Sequence, residues 1–119
     1  MATAEAFAAV RRHCLAIDGV TEKLSHGSPS FFARGTPSRS GPCFVMCMDD
    51  HHGDGIVGLW LAAPPGAQEA AVGSDPQTFF VPPYVGGRGW LGVRLDRALP
   101  HDELVELLDE AHATVRRTR

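Results

Sequence analysis

The chain has 119 residues, of which 44% are hydrophobic and 21% charged, and its formal net charge is −3. Those totals fit one globular domain with a core of its own and exclude a disordered chain or a miniprotein held together by metal or disulfides. The acidic balance also speaks against a protein built around a broad basic surface, although a local basic patch remains compatible with it.

In chain order, Thr3 to Ile17 predicts an amphipathic helix, with Phe7, Val10, Cys14 and Ile17 at helical spacing. Thr3 can cap it, Glu5 sits in its first turn, and Gly19 can take the left-handed stop position. Four strand candidates follow: Glu22–His26, Ser30–Arg34, Cys43–Met48 and Ile56–Ala62. Gly27-Ser28-Pro29 reads as the turn between the first two. The run Asp49-Asp50-His51-His52-Gly53-Asp54-Gly55 is a wide turn before the fourth.

Pro64-Pro65 ends that strand, and a short helix is expected through Gln68–Val72, stopped by Gly73. Asp75-Pro76 starts a brief helical turn that ends near Phe79-Phe80. An irregular stretch, Val81 to Gly89, leads to a fifth strand, Trp90–Asp96, with Leu91, Val93 and Leu95 on one face. Pro100 opens a last helix whose stripe is Leu104, Leu107, Leu108, Ala111 and Val115. Its charges follow the helix dipole, with Asp102 and Glu103 first and Arg116, Arg117 and Arg119 last.

The expected fold is therefore α+β. It has the order α-β-β-β-β-α-β-α and one antiparallel five-stranded sheet, with the helices packed on one face and the terminal helices together. Residues 1–119 are read as a single domain. Cys14, Cys43 and Cys47 are an odd set without a secretory segment, which points to reduced thiols in a cytoplasm. Strand periodicity puts Cys43 and Cys47 on one face. No apolar run approaches membrane-spanning length, so no membrane partner is expected.

Several segments stand out together: Gly-Val-Thr-Glu-Lys (19–23), Ser-His-Gly-Ser-Pro-Ser-Phe (25–31), the strand pair around Asp-His-His-Gly-Asp, and Ala-Pro-Pro-Gly-Ala-Gln-Glu-Ala (63–70). Asp-Pro-Gln-Thr-Phe-Phe (75–80) and Pro-Tyr-Val-Gly-Gly-Arg-Gly-Trp-Leu-Gly-Val-Arg-Leu-Asp (83–96) complete the set. In this order they resemble the MmcQ/YjbR family of small bacterial proteins. The resemblance implies an α/β sandwich like that of frataxin and the type III secretion chaperones, and a DNA-binding role. Where relatives often have a Gly-Lys turn between the second and third strands, this chain has Arg34-Gly35-Thr36 and a longer insertion through Arg39 and Gly41. Arg34 and Arg39 can replace the lysine charge there.

Gly86-Gly87-Arg88-Gly89-Trp90 is the foremost site candidate. Glycines allow close backbone approach, Arg88 can hold a phosphate or carboxylate, and Tyr84 and Trp90 offer flat surfaces. The alternative is a turn in which Trp90 belongs to the core and Arg88 is solvated. Arg34, Arg39 and Arg94 could join Arg88 on one face if the fold brings them together.

His51 and His52 with Asp49, Asp50 and Asp54 have the composition of a divalent-ion site but no recurring ligand pattern, and read as a solvated loop. Ser25, His26 and Ser28 lack a readable third group. Neither a phosphate-binding loop nor a dinucleotide fingerprint occurs. The expectation is a non-enzymatic protein without metal or cofactor that binds DNA. The other reading is a module that takes a small anionic ligand or a protein through the sheet and the Gly86–Trp90 loop.

Overall fold

The two most apolar stretches, β3 (Cys43–Asp49) and β4 (Val57–Leu61), lie side by side at the centre of the sheet. The computed structural model describes residues 3–97 and 99–117. Around this pair stand α1 (Thr3–Leu15), β1 (Thr21–Ser25), β2 (Ser28–Phe32), α2 (Ala67–Ser74), β5 (Phe79–Phe80), β6 (Leu91–Arg94) and α3 (His101–Arg117). The sheet order is β1-β2-β3-β4-β6-β5, with every neighbouring pair antiparallel. Thus β1 and β5 are the edges.

The sheet has six strands where the sequence suggested five. Phe79-Phe80, read as the end of a helical turn, is the extra one. The turn itself forms, since Phe79 N–H donates to Asp75 O. Beyond it, Phe79 pairs with Val93 and Phe80 with Gly92. Two aromatic residues favour the pleated surface, and Pro82 and Pro83 just beyond them bar a longer helix. The β1–β2 turn also differs. It is His26-Gly27, both at positive φ (52° and 83°), a two-residue hairpin turn whose twist suits the strands. Ser28 and Pro29 belong to β2 instead. Pro29 interrupts no rung on the far side, because β2 pairs with β3 only from Ser30 onward.

Cross-strand rows define the two faces. On one, Phe31, Val45, Leu61 and Leu91 run across the sheet, beside Cys47, Leu59, Val93 and Phe79. These rows face α1 and α3, which supply Ala6, Val10, Cys14, Leu104, Leu108, Ala111 and Val115. The terminal helices lie together, tied by His13 Nε2 and Asp109 Oδ1 at 2.8 Å. Arg11 Nε donates to Glu22 Oε1 at 2.6 Å and fastens α1 to β1. The cap at Thr3 and the cation Arg119 lie outside the residues whose side chains are described. Phe7 and Leu107 are only partly buried, so the stripes are narrower than their sequence spacing suggested.

The second face carries the row Ser30, Met46, Trp60, Gly92 and Phe80. Here the segment 81–90 folds back over the sheet, burying Pro82 and Trp90. A bulge splits Cys43 from Cys47, contrary to the expected shared face. Phe31 pairs with Val45 but Phe32 with Cys43, so Phe44 is the extra residue and alternation is broken. Cys47 therefore lies in the helix-facing row, and half-buried Cys43 beside Phe32. Burial pushes the Cys14 and Cys47 thiols up to about 12 and that of Cys43 to about 11, so all three are protonated at neutral pH.

Two predictions test this core. Leu108 is fully buried, so Leu108→Ala should destabilise by roughly 2–5 kcal/mol in a denaturant titration, and half-buried Leu107→Ala by about half as much. His112 sits edge-on to Phe44 at 5.2 Å, and its Nε2 is buried without a partner. Burial, then Arg116, holds this imidazole below its ordinary range, with Asp109 opposing. The unfolded chain then binds a proton that the fold resists. The stability involved is fully present above about pH 6.5 and is lost as pH falls from there towards the lowered folded value. Melting curves at about pH 7.5 and 5.5 should show a smaller acid-induced drop in Tm for His112→Gln than for the unsubstituted chain.

Candidate functional site

The helix-free face of the sheet is built unequally. Over β4 and β6 it is covered by segment 81–90; over β1, β2 and the start of β3 it is open. On the open part lies a groove of about 870 Å³, floored by Phe32 and walled by Lys23, Arg34, Arg39 and the backbone of residues 35–41. No acidic side chain lines it. Lys23 Nζ stands 4.8 Å from the centre of the Phe32 ring, a cation over a flat apolar floor.

The insertion after β2 forms the groove's far wall. Thr36 and Arg39 exchange backbone hydrogen bonds, and Ala33 N–H donates to Pro42 O at 2.8 Å, closing the loop on itself. That closure requires Gly35 and Gly41. A Cβ on Gly35 would come within 2.1 Å of Arg39 O, and one on Gly41 within 2.4 Å of Ala33 O. The longer insertion thus has a fixed shape that presents Arg39 to solvent.

The predicted cations fare differently. Arg34 is held by Asp18, and Arg94 makes a two-pronged contact with Asp96 at 3.0 and 2.8 Å, which lowers the Asp96 pKa. Lys23, Arg39 and Arg88 make no ion pair among the described residues. Arg88 lies 5.3 Å over the ring of Trp90, which is itself 5% exposed. Trp90 is therefore core, covered by the arginine, and Arg88 occupies the position sequence reasoning had given to a ligand. Arg88 also pulls electrostatically on the Cys43 thiol, and Cys43 pairs with the groove-floor residue Phe32. Arg88 itself does not line the groove.

Tyr84 lies elsewhere. It is 78% exposed, has φ of 65°, and belongs to a second pocket of about 540 Å³ further along the same face. His51, Trp60 and Tyr84 meet there edge to face: His51 lies 4.9 Å from Trp60 and 6.0 Å from Tyr84. Met46 and Met48 form the apolar wall. Sequence reasoning missed this pocket. The available signal was that β3 and β4 are apolar at nearly every position, so both faces of the sheet need cover.

The neighbouring acids have structural work. Asp50 Oδ1 accepts Gly55 N–H at 2.7 Å, and Asp54 Oδ1 accepts Ile56 N–H at 2.8 Å. They fold the loop after β3 and set His51 against Trp60. Among the described residues, no three His, Cys, Asp or Glu side chains converge as metal ligands, and no helix is long and apolar enough to cross a membrane.

A family model described as YjbR matches residues 15–114. The chain belongs to the YjbR family. A crystal structure of Deinococcus radiodurans protein DR2400, described as a DUF419 domain, shares the fold with a TM-score of 0.75 at 23% identity. The match covers 91% of this chain and 76% of that one. No curated protein matches. The YjbR match spans both the groove and the ring pocket, from Gly19 to Val85.

Sequence reasoning also missed the residue that anchors the Arg88 loop of this YjbR chain. Gln68 Nε2, from α2, donates to Gly86 O at 2.9 Å and to Trp90 O at 2.6 Å, one carbonyl on each side of Arg88. Nothing in its helical context marks Gln68 for this role. Gln68→Ala should cost about 1–3 kcal/mol in a denaturant titration, since it strands two carbonyls. Gln68→Glu should cost more, because a carboxylate cannot donate.

Proposed function

We propose that this YjbR-family protein is a non-enzymatic DNA-binding module that holds the phosphate backbone of a single strand on the open face of its sheet. The observation that carries the reading is the groove walled by Lys23, Arg39 and the Asp18-paired Arg34 over Phe32, with no carboxylate in its lining. The net charge of −3 is a sum over the whole chain, whereas a bound strand meets only the local charge of the groove. α3 exposes Asp102, Glu103, Glu106, Asp109 and Glu110 on the opposite layer, where they repel phosphate and keep a helix-first approach to a duplex groove unfavourable.

Three unpaired cations, Lys23, Arg39 and Arg88, set the scale of binding. Single strands lose affinity with a log–log salt slope of about −0.7 per neutralised phosphate, so three contacts give about −2. Fluorescence anisotropy with labelled single-stranded DNA between about 50 and 200 mM salt measures this slope. Lys23→Ala and Arg39→Ala should each flatten it by about 0.7 and leave the melting temperature nearly unchanged, as exposed charges do. A slope near zero, or one that survives both substitutions, refutes the reading.

A further inference from the structure

We infer that the ring pocket formed by His51, Trp60, Tyr84, Met46 and Met48 receives an unpaired nucleobase of the bound strand. The inference rests on the strand-binding reading and adds to it what happens to the base once the backbone is held. Four observations carry it.

The first is position. Ser28 borders the ring pocket and Phe32 floors the cationic groove, and both point to the same side of β2, four residues apart. At strand rise that is about 13 Å, within the span of a short oligonucleotide lying across the face. The second is chemistry. The pocket is lined by rings, thioethers and hydroxyls, with no Asp, Glu, Lys or Arg. It offers a phosphate no fixed cation, whereas a neutral planar ring gains stacking and sulfur–aromatic contact there. Its volume of about 540 Å³ is in the range of small-molecule sites.

The third is an unsatisfied atom. His51 Nε2 is shut off from water and has no hydrogen-bond partner. Buried polar nitrogens are normally paired; a base edge can supply the partner once the rings packed around His51 part to admit it. The fourth is backbone strain. His26, Asp50, His52 and Tyr84 are the non-glycine residues at positive φ among those described, and three of the four, His26, His52 and Tyr84, line this pocket. Such conformations gather where a site is held in a set shape. The conformation of His26 belongs to the β1–β2 hairpin turn, while that of Tyr84 accompanies the edge contact of its 78% exposed ring with His51.

The test compares two labelled strands of about ten nucleotides, one of thymidines and one of the same length made of abasic sites, by anisotropy at a single salt concentration. The thymidine strand should bind roughly tenfold more tightly. Tyr84→Ala should remove that advantage and leave the abasic strand unchanged, while Lys23→Ala should weaken both alike. Equal binding of the two strands overturns the base pocket and leaves backbone binding standing. In parallel, free thymidine is titrated while the indole N–H signals of Trp60 and Trp90 are followed by NMR; Trp60 should shift and Trp90 should not. If neither strand binds but thymidine shifts Trp60, the pocket takes a free heterocycle and the strand as occupant is overturned. If neither strand binds and no indole moves, both proposals fall.

Discussion

The structure depends on one constraint, the need to bury both faces of β3 and β4. Their side chains are apolar in both directions, so the central pair is stable only between two layers. α1 and α3 make one layer, with Val10, Cys14, Leu104 and Leu108 against the row Phe31, Val45, Leu61 and Leu91. The second layer is the ten-residue segment 81–90, pinned by Gln68 and anchored through buried Pro82 and Trp90. Ten residues cannot cover six strands. The helix-free face is therefore sealed over β4 and β6 and bare over β1 and β2, and the cationic groove occupies the bare part.

Much of this was legible in the chain. The two amphipathic helices, the four-strand meander and the β6 strand follow from hydrophobic period and glycine–proline punctuation, because those signals act locally. What escaped notice was set at a distance. Phe79-Phe80 becomes a strand only because the outer edge of β6 is free to pair. The bulge at Phe44 exists only in the register between β2 and β3, and it carries Cys43 to the face opposite Cys47. Ser28-Pro29 looks like a turn by residue type, yet the preceding His26-Gly27 pair already reverses the chain.

The site was legible in part, for the same reason. Arg34, Arg39 and Arg88 were recognisable as cations near turns. Which of them are free was not, because Asp18 and Asp96 neutralise Arg34 and Arg94 through space. Trp90 and Tyr84 each offered a flat surface in the sequence, with a core Trp90 as the alternative; the chain between them turns so that Trp90 enters the core and Tyr84 stands exposed beside His51. A total charge of −3 hid a groove whose lining holds cations and no carboxylate, since a sum carries no geometry.

The two ends of the sheet bear on how this protein behaves at high concentration. An open sheet offers unpaired N–H and C=O groups along its outermost strands, and these can template pairing with another chain. β5 is only two residues long, too short to recruit a partner. β1 is longer, and it carries Glu22 and Lys23 in the middle of its five residues. Pairing a second copy edge to edge along β1 would bring these charges against the partner's strand and strip them of part of their water. Lys23, a wall of the groove, thereby also guards the edge against self-association. Replacing Lys23 by an apolar residue would therefore remove a guard from this edge along with a cation from the groove.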